Sequence, residues 1–388
     1  MSKVTVVLDS MAGSCGKGKF IGYLAQHDNY NVAVDNFMTN AGHTYVTNGG
    51  VKIMTQHVPT SMVNPDTELV IGPGAAITPS TLFTEIVKYR GVIGDRHIFI
   101  NPRAVVILPK HKEEEQRVLR SGSTFKGCGA AQAEKVMRQA ILFGDWYENT
   151  DWSETEQYIN YDGTTRPFTE DETAIICNTI RIIDTTWYLN ASYGNGCDIL
   201  VEGSQGCDLD INHGLAYPNT TSRQCHAGQL LADCGLSPRL CTDIIMIMRP
   251  YPIRISNVTN LKNADGTTLV TSSGDYAGSP EITWEEVRKR CGAPVGTPFG
   301  EMTTVTKKTR RVFEMNWDRL QYTTILNRPT AIAINFIQYV DYNMMGANSY
   351  KDITYKAKKF IDEVERKTGV QVAFIGTGPR NCDIIDLR

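Results

Sequence analysis

The sequence has no excess of basic residues, no cysteine pair at metal-binding spacing and no long apolar run. A formal net charge of −3 argues against a protein that binds duplex nucleic acid through its overall charge. None of the ten cysteines belongs to a C-x-x-C pair, so we expect neither a zinc site nor disulfides. Most thiols should be small core residues, although Cys15 and Cys128 lie in glycine-rich stretches and could be exposed. No apolar stretch nears 18 residues and no signal peptide is recognisable, so we expect a cytoplasmic protein that is neither secreted nor membrane-spanning.

Short apolar segments alternate with helical ones along the 388-residue chain. Strands are predicted at residues 4–8, 69–71, 98–100, 105–108, 199–201, 244–248, 331–334 and 372–375. Helices are predicted at residues 19–26, 80–89, 110–119, 131–142, 171–189, 285–290, 317–326 and 352–367. Residues 47–50 read as a hairpin turn, and the polar residues 148–172 as a surface excursion. The alternation predicts an α/β fold, with a mainly parallel central β-sheet flanked by helices, in one domain over residues 1–388 with inserted subdomains.

A glycine-rich loop follows the first predicted strand, and residues 13–19 read G-S-C-G-K-G-K. Its glycines let backbone amides approach phosphate oxygens, while Lys17, Lys19 and the start of the next helix add positive charge. The loop nearly matches G-x-x-x-x-G-K-[ST], but Phe20 has no hydroxyl for Mg²⁺. A glycine-rich turn without a ligand is the alternative, and the strand–loop–helix context disfavours it. We therefore expect a nucleotide site like that of the P-loop NTPases.

Three further polar loops are weak signals when each is taken alone. Residues 40–44 read N-A-G-H-T, and His43 could donate a proton to a leaving oxygen, although a single loop histidine is usually incidental. Residues 202–214, E-G-S-Q-G-C-D-L-D-I-N-H-G, follow a predicted strand where α/β sheets form their ligand crevice, although an ordinary turn would also fit. Residues 300–311, G-E-M-T-T-V-T-K-K-T-R-R, suit a carboxylate ligand or form only a solvated basic loop.

The order of these four loops, followed by a terminal T-G-P at residues 377–379, resembles the adenylosuccinate synthetase family over essentially the whole chain. The resemblance implies an enzyme that joins L-aspartate to the 6-oxo carbon of a purine nucleotide. That family uses a nucleoside triphosphate and Mg²⁺, and its reaction passes through a 6-phosphoryl intermediate. The resemblance also implies a homodimer. We expect small-molecule substrates as the other partners, with neither nucleic acid nor a membrane among them.

The resemblance assigns a role to each matching position. Ser14, Lys17 and His43 would be the catalytic positions, with His43 as the acid near the β–γ bridge, and Gly42 (through its carbonyl) and Ser14 would face the metal. The triphosphate site would comprise Gly13, Cys15, Gly16, Lys17, Gly18, Lys19, Gly42, Thr44, Asn335, Gln338, Gly376, Gly378 and Pro379. The purine monophosphate would meet Ser14, Asn40, Ser123, Thr124, Gln205, Thr221 and, from the other subunit, Arg138. The carboxylates of aspartate would meet Thr303, Thr304 and Arg310 or Arg311.

Three departures from the family pattern point to particular substrates. Ser14 stands where the family motif G-D-E-G-K-G-K has the aspartate that takes the N1 proton and binds Mg²⁺. A serine there leaves room for the 2-amino group of guanine or bonds to it. Residues 335–338 replace the guanine-reading T-K-L-D, and Gln338 offers a donor and an acceptor that suit adenine, hence ATP or dATP. An arginine expected near the ribose 2′-hydroxyl has no clear match, and Thr306 or Thr309 falls there, which favours a deoxyribose.

These departures resemble the phage branch of the family, which acts on dGMP in making diaminopurine DNA. The expected reaction joins dGMP and L-aspartate at the expense of ATP or dATP, in the host cytoplasm if the protein is phage-encoded. The group that takes the N1 proton stays open, with water on the metal and the departing phosphate as candidates. The alternatives are an ordinary synthetase that acts on IMP and tolerates Ser14, and a nucleotide-binding regulator without catalysis.

Overall fold

The computed structural model describes residues 2–118, 123–255, 258–262, 268–271, 273–302 and 309–388. Its strands are β1 Val4–Asp9, β2 Val32–Asp35, β3 His43–Val46, β4 Lys52–Thr55, β5 Glu68–Ile71, β6 Ala76–Ile77, β7 Ile98–Ile100, β8 Val105–Val106, β9 Gln157–Ile159, β10 Thr165–Pro167, β11 Ile180–Ile182, β12 Ile199–Glu202, β13 Cys241–Met248, β14 Ile253–Arg254, β15 Val258–Lys262, β16 Thr268–Thr271, β17 Glu281–Ile282, β18 Arg311–Phe313, β19 Ala331–Ile334, β20 Val372–Gly376 and β21 Ile384–Asp386. Its α-helices are α1 Lys17–His27, α2 Pro79–Lys88, α3 Arg90–Ile93, α4 Pro109–Val118, α5 Cys128–Val136, α6 Phe143–Asn149, α7 Trp152–Thr155, α8 Glu170–Thr179, α9 Thr185–Gly194, α10 Ala227–Cys234, α11 Trp284–Cys291, α12 Trp317–Asn327 and α13 Tyr355–Thr368.

Ten of the strands form one central sheet, in the order β11-β7-β5-β2-β12-β1-β13-β19-β20-β21. All neighbours pair in parallel except β20 and β21, which are antiparallel. The central strands β1, β2 and β12 are buried along their whole length, because helices cover both faces of the sheet. The predicted α/β fold with a mainly parallel sheet is therefore confirmed.

Two predicted helices differ from the structure. The helix expected at residues 131–142 is α5, which ends at Val136, and Arg138 then adopts a left-handed backbone with φ 63°. The helix expected at residues 171–189 is interrupted by the edge strand β11, whose isoleucines pair with β7. Asp184 begins the next helix, α9, because its carboxylate accepts hydrogen bonds from two backbone amides of the first turn.

The two predicted surface features are both present. The hairpin of β3 and β4 turns at residues 47–50, where Gly50 has φ 85° and Thr47 N donates to Val51 O at 2.9 Å. The polar excursion contains the small hairpin of β9 and β10, and Trp152 and Phe168 within it pack on the buried Phe83 with ring centroids 4.6 and 6.2 Å away. No helix among the described residues is long and apolar enough to cross a membrane.

Candidate active site

The glycine-rich loop leaves the carboxyl end of β1, at the centre of the sheet, and enters α1 at Lys17. Gly13, Ser14 and Gly16 all have left-handed backbones, with φ of 83°, 59° and 87°. At Gly16 a Cβ atom would lie 2.1 Å from Asn335 Nδ2, so only glycine fits there. The loop is thus a tight strand-to-helix turn, the arrangement that presents backbone amides and a helix N-terminus to phosphate.

Lys17 joins the glycine-rich loop to the loop that follows β12. Its Nζ donates to Gln205 O at 2.5 Å and to Asp9 Oδ2 at 3.2 Å, and its side chain is 5% exposed. Gln205 itself has a left-handed backbone, with φ 61°. The ends of neighbouring strands β1 and β12 therefore meet at one ammonium group, as expected for the ligand crevice of a parallel sheet.

His43 lies beside this lysine at the start of β3. The ring is buried, packs edge-on to Phe37 at 4.2 Å, and neither nitrogen has a hydrogen-bond partner among the described residues. Burial first, and then the positive charge of Lys17, hold the pKa of His43 well below its ordinary value. The backbone around Gly42 and Thr44 packs on α1, since a Cβ at Gly18 would lie 2.8 Å from Thr44 O. A neutral imidazole with free nitrogens is thus available to a ligand at this point.

Three predicted monophosphate residues form one hydrogen-bonded row. Gln205 Nε2 donates to Asn40 Oδ1 at 2.9 Å, and Asn40 Nδ2 donates to Thr221 Oγ1 at 3.4 Å. Their side chains come from three separate loops, so the tertiary structure brings together what the sequence separates by more than 150 residues. The row offers amide and hydroxyl groups to a polar ligand beside Lys17.

The loop of Ser123 and Thr124 approaches this row through the thiol of Cys128, which lies within hydrogen-bonding reach of the Asn40 backbone. Ser123 Oγ accepts from the Phe125 amide at 3.1 Å, and both predicted residues are half-buried. The start of α5 is already capped by Glu115, whose carboxylate accepts from the amides of Gly127 and Gly129 at 2.8 and 2.6 Å. A phosphate here would therefore meet the hydroxyls of the loop and not the end of the helix.

Arg138 is not brought to this site within a single chain. Its side chain is exposed, and it forms no side-chain hydrogen bond or ion pair to other described residues. Around it lie three apolar side chains with large exposed fractions: Val136 at 79%, Met137 at 66% and Ile141 at 41%. Apolar groups clustered on a surface are typical of a contact with another protein surface.

The predicted base-reading segment lies on the other side of the glycine-rich loop, after β19. Asn335 Nδ2 donates to Cys15 O at 3.0 Å, and the ring of Phe336 stacks on Tyr339 with centroids 5.6 Å apart. The Gln338 side chain is buried, and its Oε1 has no partner among the described residues. An amide oxygen in this position is free to accept a hydrogen bond from a ligand.

Lys19 points away from the loop amides and holds the terminal T-G-P segment. Its Nζ donates to Gly378 O at 2.7 Å and to Asp383 O at 2.6 Å. Burial lowers its pKa to about 7, against the opposing effect of the nearby Asp383 carboxylate. Gly376 packs against the base-reading segment, because a Cβ there would lie 2.1 Å from Asn335 Oδ1, whereas Pro379 is exposed.

The two arginines predicted to bind aspartate diverge. Arg310 Nη1 donates to Glu301 Oε2 at 2.8 Å, whereas Arg311 binds Glu281 and donates to Gly274 O at 2.7 Å. Thr303 and Thr304, and Thr306 in the same segment, lie outside the described residues. Arg310 is therefore the arginine that faces the glycine-rich loop, through its shared partner Glu301.

Sequence reasoning missed two charged residues of the site, Arg249 and Asp9. Arg249, at the carboxyl end of β13, is fully buried; its Nη1 donates to Ser14 O at 3.1 Å and to Glu301 Oε2 at 3.0 Å, and its guanidinium lies 4.5 Å from the Phe336 ring. Asp9 ends β1 beneath the loop. The available signal was the position of Arg249 and Asp9 at the ends of apolar strands, which the family motifs did not include.

The proposed exposed thiols are wrong. Cys15 is fully buried and Cys128 is 2% exposed, and burial raises the pKa of both thiols, that of Cys128 to about 12. Both therefore pack as small core side chains. Among the described residues no group of three or more histidine, cysteine or acidic side chains could hold a metal ion. A Mg²⁺ ion at the loop would thus depend on the Gly42 carbonyl and on phosphate oxygens, which are ligands that this ion accepts.

Comparison with known proteins places these features in one family. The family model described as adenylosuccinate synthetase matches residues 6–345. The N6-succino-2-amino-2′-deoxyadenylate synthase of Acinetobacter phage SH-Ab 15497 is 33% identical, over 87% of this chain and 85% of its own. The adenylosuccinate synthetase of Thermococcus sibiricus is 29% identical, over 99% and 98%.

A solved structure described as cyanophage S-2L succinoaminodeoxyadenylate synthetase bound to dGMP and dATP is also similar. It has a TM-score of 0.77 and 26% identity, and the match covers 100% of this chain and 96% of that one. The structure of adenylosuccinate synthetase from Plasmodium falciparum shares the fold, with a TM-score of 0.75 at 19% identity. The chain belongs to the adenylosuccinate synthetase family.

Proposed function

We propose that the protein is a carbon–nitrogen ligase that joins L-aspartate to dGMP and uses ATP or dATP as energy donor. The products are N6-succino-2-amino-2′-deoxyadenylate, ADP or dADP, and phosphate. The observation that carries the choice of dGMP is Ser14, a small neutral side chain on a loop that is otherwise built to hold phosphate. The named activity of the phage relatives and the dGMP and dATP in the cyanophage structure support the same substrates.

The purine of dGMP would lie between the glycine-rich loop and the loop after β12. A Cβ at Gly13 would be 3.8 Å from Leu209 Cδ1, and Lys17 bonds to Gln205 O, so the two loops face one another. Ser14 belongs to the glycine-rich loop. Opposite it, Gln205 of the loop after β12 and its hydrogen-bond partner Asn40 supply polar groups. A carboxylate at position 14 would crowd the 2-amino group of guanine, whereas a serine hydroxyl leaves space for it or accepts from it.

The choice of an adenine nucleotide rests on Gln338. Its buried and unpartnered Oε1 matches the exocyclic amino group of adenine, which is a hydrogen-bond donor. A guanine would present its O6 acceptor and N1–H donor to the same region, and no acid lies in the 335–338 segment to receive that N1–H and the 2-amino group. ATP or dATP is therefore the expected donor, and GTP should be used poorly.

The reaction would begin with transfer of the γ-phosphoryl group from the β–γ bridge oxygen to O6 of the purine, and the N1 proton of guanine would leave to water or to a phosphate oxygen. Backbone amides of residues 13–18 and the Lys17 ammonium would stabilise the charge on the phosphoryl oxygens, and the neutral His43 would donate a hydrogen bond to the leaving β–γ bridge oxygen. A bound Mg²⁺ ion, held by the Gly42 carbonyl beside Ser14, would neutralise phosphate charge. The amine of aspartate, oriented by Arg310 and the 303–304 hydroxyls, would then displace phosphate at C6.

The site would be completed in a homodimer by Arg138 of the partner subunit. The exposed apolar side chains of Val136, Met137 and Ile141 around this arginine support a subunit contact at that surface. An exposed guanidinium on such a surface suits a phosphate presented by the opposite chain. Binding of the dGMP phosphate would then require Arg138 in addition to Ser123 and Thr124.

Aspartate-dependent phosphate release tests the proposal directly. The wild-type protein is assayed with dGMP, GMP, dIMP and IMP, each with ATP, dATP or GTP. We expect turnover with dGMP and an adenine nucleotide. Robust turnover of IMP without any activity on dGMP would contradict the proposal. Binding of purine monophosphates without any turnover would instead favour a nucleotide-binding regulator.

Two variants of Ser14 sharpen the assay. In Ser14→Asp a carboxylate returns to the family position, so dGMP use should fall and IMP use should rise. In Ser14→Ala the space for the 2-amino group is kept but the hydroxyl is lost. Retained dGMP activity in the alanine variant would mean that space decides the substrate, and lost activity would mean that the hydroxyl bonds to the amine.

A further inference from the structure

The glycine-rich loop of this chain has lost both acids of the family pattern. The family sequence G-D-E-G-K-G-K carries an aspartate and a glutamate at the positions of Ser14 and Cys15, while both lysines are kept. Between residues 9 and 19 the sequence has a single acidic residue, Asp9, which ends β1. Its side chain is buried beneath the loop.

The carboxylate of Asp9 bonds to both the loop backbone and a catalytic lysine. Oδ1 accepts from the Met11 amide at 2.8 Å. Oδ2 is shared, because it accepts from the Cys15 amide at 3.1 Å and from Lys17 Nζ at 3.2 Å. One oxygen atom therefore fixes the position of the lysine ammonium relative to the loop amide that follows Ser14.

Asp9 is the counter-charge of Lys17 and helps to set the direction of its side chain. The ammonium group is buried, and Asp9 is the one acid within ion-pair distance of it among the described residues. The other groups that face it are the Gln205 carbonyl, the neutral His43 and the buried thiol of Cys15. Burying an ammonium group without a counter-charge is costly, so the ion pair with Asp9 stabilises Lys17 in this position.

We propose that Asp9 is a positioning residue for phosphoryl transfer, which holds the Lys17 ammonium group and the loop backbone at Cys15 in place. This inference rests on the proposed function, because it presumes that Lys17 meets the transferring phosphoryl group. With two N–H groups of Lys17 directed to Asp9 and Gln205, the third points elsewhere and is left for the phosphoryl oxygens. The Cys15 amide donates to the same oxygen, so Asp9 also fixes the loop backbone beside the ammonium group.

The variant Asp9→Asn tests the inference, with a split between kcat and affinity as its readout. The neutral amide removes the counter-charge that holds Lys17 in place, so kcat should fall about 100-fold, the scale of a misplaced catalytic group. The loop gains net positive charge, so the affinity for a non-hydrolysable ATP analogue should stay the same or increase. KM for aspartate and for the purine monophosphate should change less than about 3-fold, since Asp9 would contact neither substrate in the proposed site.

Glu85→Gln is the matched control. Glu85 is also a buried carboxylate that accepts from backbone amides, those of Gln56, His57 and Val58, but no ammonium group lies within ion-pair distance of it in the described chain. Both variants should lower the melting temperature, and only Asp9→Asn should lose kcat. If Asp9→Asn does not fold, Asp9→Ser, which is smaller and neutral, is measured instead.

Several outcomes would overturn the inference. Unchanged kcat in Asp9→Asn would do so, and so would a parallel loss of kcat and nucleotide affinity that Glu85→Gln reproduces. The proposed function is judged separately, by the purine monophosphate that the wild-type protein uses. If that substrate proves to be IMP, the proposed function fails, while the Asp9 measurement is made with IMP and still decides the role of Asp9.

Discussion

Replacing Glu301 with glutamine should weaken aspartate binding far more than replacing the neighbouring Glu281. The Glu301 carboxylate lies between two arginines and accepts from Arg249 Nη1 at 3.0 Å and from Arg310 Nη1 at 2.8 Å. The Arg249 side chain is fully buried, and those of Glu301 and Arg310 are 11% and 10% exposed. Glutamine keeps the shape and one acceptor oxygen, but it removes the one negative charge within ion-pair distance of Arg249 in the described chain.

The magnitude follows from the burial of these charges. Removing one partner of a buried ion pair costs about 3–5 kcal/mol, because the remaining charge stays buried without compensation. Because glutamine retains one acceptor oxygen, the expected cost of the substitution is about 3 kcal/mol, at the lower end of this range. This corresponds to about a 100-fold change in an equilibrium constant. The cost falls on Arg310, one of the residues predicted to bind aspartate, because its backbone amide also donates to Glu301 O at 2.8 Å. The Glu281 side chain is 45% exposed, and its ion pair with Arg311 is worth about 0–1 kcal/mol.

The assay compares KM for aspartate in the wild-type protein, Glu301→Gln and Glu281→Gln at saturating nucleotides. We expect an increase of up to about 100-fold for Glu301→Gln and at most about 5-fold for Glu281→Gln, from the energies above. Burial alone would raise the pKa of Glu301, but Arg249 and Arg310 hold it below its ordinary value. A carboxylate with a lowered pKa stabilises the fold above its unfolded pKa and loses this effect as the pH falls through the folded one. The difference in unfolding free energy between wild type and Glu301→Gln should therefore shrink in acid.

Two results would refute this reasoning. Equal KM values for aspartate in the two glutamine variants would mean that the buried pair does not support the aspartate site. A lower melting temperature for Glu301→Gln with an unchanged KM would mean that the pair stabilises the fold alone.

Three further predictions concern the nucleotide site, the terminal segment and the subunit contact. Gly16→Ala should abolish tight binding of an ATP analogue, measured by calorimetry, because its Cβ would fall 2.1 Å from Asn335 Nδ2 on a backbone with φ 87°. The pKa of Lys19 is lowered from 10.5 to about 7 in the folded state. Between these two pH values the folded state binds fewer protons than the unfolded state, so the free energy of unfolding rises with pH. In urea unfolding at several pH values, Lys19→Met should lack this part of the rise. In light scattering, Met137→Glu should shift the protein from the proposed dimer towards the monomer, whereas Arg138→Ala should leave the dimer intact. Both variants should raise KM for dGMP. A wild-type protein that is monomeric and fully active would contradict both predictions.

The sequence was sufficient for the sheet and for the first loop because their signals are local. Apolar β-branched runs bounded by turn residues predicted β1, β12 and β19, and the glycines of residues 13–18 predicted the turn into α1. The strand β2, Val32–Asp35, was missed although it is as long as the predicted strands β12 and β19. β11 was missed because its three residues continue the apolar pattern of the helix before it.

The charged pairs of the site could not be predicted from the sequence. Arg249 and Glu301 are 52 residues apart, and nothing in the pattern of either segment shows that one buried guanidinium meets one carboxylate. Only the family resemblance placed Asn40, Gln205 and Thr221 in one site, and the structure joins them by hydrogen bonds. The resemblance could not supply Asp9, because the family motif begins after it.

The side chain at position 14 can change because the backbone around it is held by residues outside the loop. Ser14 has a left-handed backbone, which costs a residue with a side chain about 1–3 kcal/mol and persists only where the surroundings enforce it. Arg249 donates to the Ser14 carbonyl at 3.1 Å, and Asp9 accepts from the next amide, that of Cys15, at 3.1 Å. The peptide group between Ser14 and Cys15 is thus held through both its carbonyl and its amide, whatever the side chain at position 14 is. An exchange between aspartate and serine can therefore alter the substrate without dismantling the phosphate site, and Ser14→Asp should melt within a few degrees of the wild-type protein even as its choice of purine changes.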